Sequence, residues 1–235
     1  MKKLICLDLD GTLTQHRTPL GEENRAVLDK LKEKHKLIMV GAGDANRIRK
    51  QLCEYPIDIL GNYGMQEYVV DPDGTFRLVR VDSVEVDHAF FSEKVEYLRQ
   101  KYGYTEYKGE SVEFHPSGMV TFPLLGTKAD VADKIAFDPT REKRKVLYPE
   151  VLEIFKDFTV YIGGSSSFDF SAKQFNKYDA IMRYAKENGY TKDEVLYVGD
   201  DFGDGGGDSH VRLGGIDYVE ITDYRKFGEK MAAYL

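Results

Sequence analysis

The feature that most limits how this chain can fold is its opening stretch, Lys3-Leu4-Ile5-Cys6-Leu7-Asp8-Leu9-Asp10-Gly11-Thr12-Leu13-Thr14. A short, unbroken apolar run of this kind fits a strand buried on both faces, as in a parallel sheet. Two carboxylates follow at its C-terminal end, and the two-residue period of an extended chain puts Asp8 and Asp10 on one side. Like charges so placed repel unless something cationic lies beside them. The stretch therefore calls for a parallel sheet with a cation at its C-terminal edge.

The chain that follows alternates in the way such a sheet needs. Residues 21–36 read as a helix with Ala26, Val27, Leu28 and Leu31 as its apolar stripe. A strand at 36–40 runs into Gly41-Ala42-Gly43-Asp44, where Asp44 is placed to cap a helix carrying Ile48 and Leu52. A strand at 57–60 completes a β, α, β, α, β order, which implies right-handed crossovers. The character then changes. Residues 66–70 and 75–81 flank the turn signal Asp71-Pro72-Asp73-Gly74 and read as a hairpin. A helix over 84–102 ends at Gly103, and strands are expected at 111–115 and 119–125. Two helical stretches, interrupted near Pro139 and Pro149, lead to strands at 158–162 and 167–170. The β/α alternation resumes with a helix over 178–188, a strand at 195–198 ending in Gly199-Asp200, and a strand at 216–221. Asp223 then caps a last helix with Phe227, Met231 and Leu235 on one face. The reading is an α/β fold: a Rossmann-like, doubly wound parallel-sheet core from residues 1–82 and 174–235, with an α+β domain inserted at 83–173.

Composition removes several function classes. A net charge of -7 leaves no general basic face for nucleic acid. The apolar run before Asp8 is too short for a signal peptide, and no later stretch is long enough to span a bilayer. Two cysteines give no disulfide framework, so a reducing cytoplasm is the expected setting.

In an open α/β sheet, ligands bind beyond the carboxyl ends of the strands. The residues expected there are Asp8, Asp10, the 41–44 loop, Lys177, and Asp200 with Asp201. Taken singly, an Asp-x-Asp-Gly is a turn and a Lys before a helix is a solvated cation. Together they form an inventory for phosphoryl transfer, with Mg²⁺ as the hard cation that oxygen ligands favour. Asp8 is the nucleophile that forms an aspartyl phosphate, and Asp10 carries the proton to the leaving oxygen and from the next acceptor. Lys177 holds Asp8 and the phosphate together. Asp200 binds metal, and Asp208 supports it from across the Gly205-Gly206-Gly207 turn.

These segments resemble three of the four motifs of the haloacid dehalogenase-like phosphotransferases: residues 8–14, Lys177, and Gly199-Asp200. The insertion is similar to their type C2 cap. Over nearly the whole chain the resemblance narrows to the eukaryotic-type phosphomannomutase family. It is carried by Thr14-Gln15-His16-Arg17, Val112-Glu113-Phe114, Ser117-Gly118-Met119, Gly163-Gly164 through Ser167-Phe168-Asp169, and Gly199 through His210. The resemblance implies a metal site of Asp8, Asp200 and, through its backbone carbonyl, Asp10. It implies a phosphate-binding set of Thr12, Gly43 and Asp44, and a sugar-phosphate set of Arg17, His115, Lys134, Ser167 and Asp169. It also implies a homodimer formed through the cap.

Two departures separate this chain from that family. The second motif ends in a Ser or Thr hydroxyl that contacts the transferring phosphoryl group, and here the residue is Gly43. Three cap arginines that hold a distal phosphate fall on His115, Thr127 and Lys134. Lysine lacks the bidentate fork, histidine is partly charged at neutral pH, and threonine is neutral. A mutase must retain a bisphosphorylated intermediate, so weaker distal binding favours water as acceptor. The expected function is a Mg²⁺-dependent phosphosugar phosphatase acting on a small substrate, most naturally a hexose phosphate. A hexose phosphate mutase is the alternative, and a catalytically weak sugar-phosphate-binding protein a further one. Replacing the nucleophile, Asp8→Asn, is expected to abolish steady-state turnover in a phosphate-release assay; surviving activity would remove Asp8 from that role.

Overall fold

Strand β1 (Leu4–Leu7) has no exposed side chain, because its alternate residues pack into two different cores. In the computed structural model, which describes residues 1–235, it is followed by α1 (Glu22–Lys32), β2 (Lys36–Val40), α2 (Ala45–Gln51) and β3 (Asp58–Gly61). The hairpin β4 (Gln66–Val70) and β5 (Phe76–Val81) comes next. The middle of the chain forms α3 (His88–Tyr102), β6 (Glu113–Phe114), β7 (Val120–Pro123), α4 (Val131–Phe137), α5 (Glu142–Ile154), β8 (Phe158–Tyr161) and β9 (Ser167–Ala172). The last part supplies α6 (Lys177–Glu187), β10 (Val195–Gly199), α7 (Ser209–Leu213), β11 (Asp217–Glu220) and α8 (Phe227–Met231). Two compact units result: Met1–Asp82 with Phe175–Asp204 and Asp208–Leu235, and Ser83–Gln174 with Gly205–Gly207.

The first unit is built on a seven-stranded sheet in the order β11-β10-β1-β2-β3-β4-β5. The five strands from β11 to β3 are parallel, and β4 and β5 add to β3 antiparallel. Ile5, Leu7, Met39 and Val198 meet Leu28, Leu31, Ile48 and Phe227 on one face. Leu4, Cys6, Val40 and Tyr197 meet Ile181, Tyr184, Ala185 and Val211 on the other. Helices therefore cover both faces, as a parallel sheet with no polar face requires. No helix is long and apolar enough to cross a membrane.

The second unit has a separate antiparallel sheet, β6-β7-β9-β8. Its core is aromatic, with Phe91, Phe122, Phe155, Phe168 and Phe170 all buried. Two arginines are also buried. Arg99 donates to the backbone carbonyls of Tyr104, Ser111, Pro123 and Leu124 and to the Ser111 hydroxyl. Arg144 pairs with Asp138 at 2.9 Å and donates through Nη1 to the carbonyls of Gly163, Gly164 and Ser167. It thereby ties α5 to the β8–β9 connection.

Several local expectations are corrected. Pro149 lies inside α5 and does not interrupt it. Its ring is on the exposed side of the helix, so the carbonyl that loses its N–H partner faces water. The first helix stops at Lys32, short of 36, and α3 starts at His88, where Asp87 accepts from the Phe90 N–H and sets the cap. The hairpin adds to the edge of β3 in the core sheet. The C-terminal segment does not keep one helical period. Turns of 3₁₀ type at Tyr224–Lys226 and Ala232–Tyr234 flank α8, so Phe227 and Met231 are buried but Leu235 is 37% exposed.

The Asp138–Arg144 pair yields a stability prediction. Burial works against the Asp138 carboxylate, but Arg144 and the Lys143 and Arg144 N–H groups hold its pKa below the ordinary value. Arg144→Met leaves that carboxylate buried without its partner. It should cost about 3–5 kcal/mol, read as a lower urea midpoint for the second unit, whereas a change under about 1 kcal/mol would place the pair among dispensable contacts.

Candidate active site

Sheet register brings the acidic strand ends together. Leu7 lies opposite Val198 in the parallel β1–β10 pair, and the Asp8 N–H continues that ladder to the Val198 carbonyl at 2.9 Å. Asp8 and Asp200 therefore emerge from neighbouring strands. Lys177 opens α6, whose cap is Asn176 accepting from the Asp179 N–H. Its ammonium lies 2.9 Å from Asp8 Oδ2, 2.7 Å from Asp208 Oδ1 and 3.0 Å from the Tyr197 hydroxyl. Side-chain oxygens of Asp8, Asp200 and Asp208 lie within 4.8 Å of one another.

The three carboxylates are not equivalent. Asp208 is fully buried, and its oxygens accept from Lys177, the Tyr197 hydroxyl and the N–H groups of Asp200 and Asp201. Its hydrogen-bonding capacity is used within the protein. Burial opposes its charge, but Lys177 first and then Tyr197 hold its pKa low. For Asp8, burial wins. Partly offset by Lys177 and reinforced by Asp208 and Asp200, it pushes the carboxyl up to about 8. Asp200 is pushed up to about 6, again by burial first and Asp208 next. Burial also disfavours the Lys177 ammonium, but Asp208 and Asp8 outweigh it and keep the proton on.

One ammonium thus faces three carboxylates in a buried cluster, and two of those carboxylates are short of positive charge. An all-oxygen donor set with excess negative charge fits a hard divalent cation. Mg²⁺ would be held by Asp8 and Asp200. The backbone approaches this point closely at Gly11, where φ is +86° and a Cβ would lie 2.3 Å from Asp200 Oδ2.

The carboxylate of Asp10 is not part of the cluster. Its Oδ1 accepts from the Arg17 N–H and from Gln51 Nε2, each at 2.6 Å, and Arg47 Nη1 is 3.4 Å from Oδ2. The backbone carbonyl is the group of Asp10 that the family resemblance offers to a metal. Burial raises the Asp10 pKa, but the Arg17 N–H, Gln51, His16 and Arg47 together bring it below the ordinary value. The Thr12 hydroxyl is buried and donates to Asp200 Oδ1 at 3.1 Å, so it serves the carboxylate. Asp44 caps α2, accepting from the Asn46 and Arg47 N–H groups and from Gln66 Nε2. Gly43 lies half-buried in the loop after β2, and Arg17 is exposed at φ 57°.

In the second unit, β-pairing joins two of the expected residues through a third. Thr121 lies opposite Asp169, donates to it at 2.8 Å, and accepts from His115 Nε2 at 3.1 Å. That chain of bonds places the neutral ring's proton on Nε2. Ser167 donates to the Gly163 carbonyl, and Lys134 donates to the Thr127 carbonyl at 2.9 Å. Lys134 is therefore anchored apart from the His115–Thr121–Asp169 set. Sequence reasoning missed Thr121, Tyr197, Gln51 and Arg47. Tyr197 alone carried a local signal, a hydroxyl in an otherwise aliphatic buried strand.

A profile for haloacid dehalogenase-like hydrolases matches residues 44–205, well over half of the chain. The chain belongs to that family. Among curated relatives, it is 24% identical to a phosphomannomutase of Encephalitozoon cuniculi, over 98% of this chain and 94% of that protein. It is 24% identical to the Saccharomyces cerevisiae phosphomannomutase, over 97% and 88%. Among solved structures, a haloacid dehalogenase-like hydrolase from B. subtilis aligns over 99% of this chain and 100% of its own, with TM-score 0.64 and 14% identity. An IMP-bound mutant of the Plasmodium falciparum IMP-nucleotidase aligns over 99% and 68%, with TM-score 0.69 and 14% identity. These structures agree with the Rossmann-like fold of this haloacid dehalogenase-like chain.

The crowded carboxylates make metal binding and pH interdependent. Between about pH 4, where the unfolded Asp8 loses its proton, and about pH 8, the metal-free folded protein retains it, so stability falls as pH rises through that window. Mg²⁺ competes with this proton. The rise in melting temperature on adding millimolar Mg²⁺ should therefore be larger at about pH 8 than at about pH 5. Equal increments at both pH values would argue against Asp8 and Asp200 as its ligands.

Proposed function

We propose that this haloacid dehalogenase-like protein is a Mg²⁺-dependent phosphatase that hydrolyses a phosphosugar through an aspartyl phosphate on Asp8. The observation that carries the reading is the ion-paired, half-buried Asp8, held by Lys177 beside Asp200. Mg²⁺ would supply charge neutralisation for the phosphate oxygens and the attacking carboxylate.

The chain's own residues would do the rest. Lys177 positions Asp8 Oδ2 and neutralises phosphate charge, while Asp208 and Tyr197 fix the ammonium in place. In the first step, the Asp8 oxygen attacks phosphorus, the bond to the leaving oxygen breaks, and a proton passes from Asp10 to that oxygen. In the second, the ionised Asp10 takes a proton from water as the water attacks the phosphorus of the aspartyl phosphate. Phosphate leaves and both carboxyl groups are regenerated. The depressed pKa of Asp10 favours the ionised form that the second step uses and works against the protonated form that the first step uses.

Water as final acceptor is supported by the second unit. His115 is engaged with Thr121, and Lys134 with the Thr127 carbonyl, so neither position offers an arginine fork for a distal phosphate. A mutase is the second reading, favoured by the similarity to phosphomannomutases over almost the entire chain.

Incubation with Mg²⁺ and mannose or glucose 1-phosphate, with and without the matching 1,6-bisphosphate, separates these readings. Release of inorganic phosphate without bisphosphate dependence is the expected result. Bisphosphate-stimulated formation of hexose 6-phosphate would establish a mutase. Binding without turnover across a panel of phosphate esters would leave a sugar-phosphate-binding protein.

A further inference from the structure

We infer that Arg47 is the side chain that grips the transferring phosphoryl group, taking the place of the hydroxyl that residue 43 lacks. The inference rests on the phosphoryl-transfer reading above and adds a residue to it.

The position follows from sheet register. β2 pairs in parallel with β1, Leu7 opposite Met39, so the loop after Val40 lies beside the segment carrying Asp8 and Asp10. Gly43 is in that loop, and Asp44, accepting from the Arg47 N–H at 3.2 Å, sets Arg47 in the first turn of α2. A Cβ on Gly43 would lie 2.1 Å from Arg47 Nη2 and 2.6 Å from Nε. The guanidinium occupies the space that a side chain at 43 would fill. Gly43 has no positive φ, so backbone conformation does not demand glycine there. A side chain there would instead have to push aside the end of the Arg47 side chain.

The orientation of the guanidinium is informative. Nη1 is anchored by Gln51 Oε1 at 2.8 Å and approaches Asp10 Oδ2 at 3.4 Å. The opposite edge, formed by Nε and Nη2, has no hydrogen-bond partner, and the side chain is 39% exposed. That edge presents two parallel N–H groups spaced to match two phosphate oxygens. Pairing with Asp10 accounts for Nη1 alone. It accounts neither for the free edge nor for the missing side chain at 43. A guanidinium held by Gln51, with its fork aimed into the space above Gly43, satisfies all three observations.

The arrangement predicts a compensation that a merely structural arginine would not show. Arg47→Ala should lower kcat by about 10²–10³-fold, the scale seen when one transition-state donor is removed. Arg47→Lys should recover only a small part of this, since it keeps charge and loses the fork. Gly43→Ser in the Arg47→Ala background should restore at least about tenfold, because the hydroxyl then has both room and a task. The same Gly43→Ser in the wild-type background should give no gain, since it displaces the guanidinium. Orthovanadate binding in the presence of Mg²⁺, followed by isothermal titration, should weaken and recover in the same order, with thermal melts confirming that each variant is folded. Unchanged kcat in Arg47→Ala, or no rescue by serine, would overturn the assignment while leaving the phosphatase reading intact. If the wild-type protein neither turns over a phosphate ester nor binds orthovanadate, both fall together.

Discussion

The active-site half of this molecule depends on one buried ammonium. Lys177 satisfies Asp8 and Asp208 at once and reaches the Tyr197 hydroxyl, and each partner comes from a different stretch of chain. Without it, three carboxylates would share a small volume away from water, a situation that proteins resolve by protonation or by metal. The ion pairs do not remove the imbalance. They concentrate it on Asp8 and Asp200, because Asp208 alone receives a full set of donors. The residue that stabilises the site thus leaves it one cation short.

The chemistry of the first strand was legible because it is local. Buried apolar spacing, two carboxylates and a glycine fix a strand end and a charge problem without reference to the rest of the chain. Lys177 and Asp200 could be attached to it because strand ends in a parallel sheet converge. What stayed illegible is set by contacts distant in sequence. Tyr197 reads as a strand filler until Asp208 is placed against its hydroxyl. Arg99 and Arg144 carry no local sign of burial, yet each is enclosed by carbonyls that only the folded loops supply. Pro149 misled because proline breaks helices in general, whereas an exposed position lets water replace the lost bond.

The second unit carries a different kind of information. Its polar residues are organised by strand pairing, with Thr121 bridging His115 and Asp169 across β7 and β9. Asp169 is pushed above its ordinary pKa by burial, opposed by Thr121 and His115. The network contains no arginine or lysine among its three hydrogen-bonded members. The carboxylate cluster and this threonine-bridged network therefore lie in separate units of the same chain.

The central strand also has a consequence for how the molecule is made. β1 is synthesised well before β10, so Leu4 must wait for Val195 before one of its two ladders can form. Everything between, including the whole aromatic-cored unit, is synthesised in the meantime. A strand with no polar face is exposed throughout that interval, and closing so long a loop is slow compared with local folding. Carboxylates at its end can keep the nascent segment hydrated until their lysine arrives. The charges that make the finished site hungry for a cation would then also protect the unfinished chain from premature association.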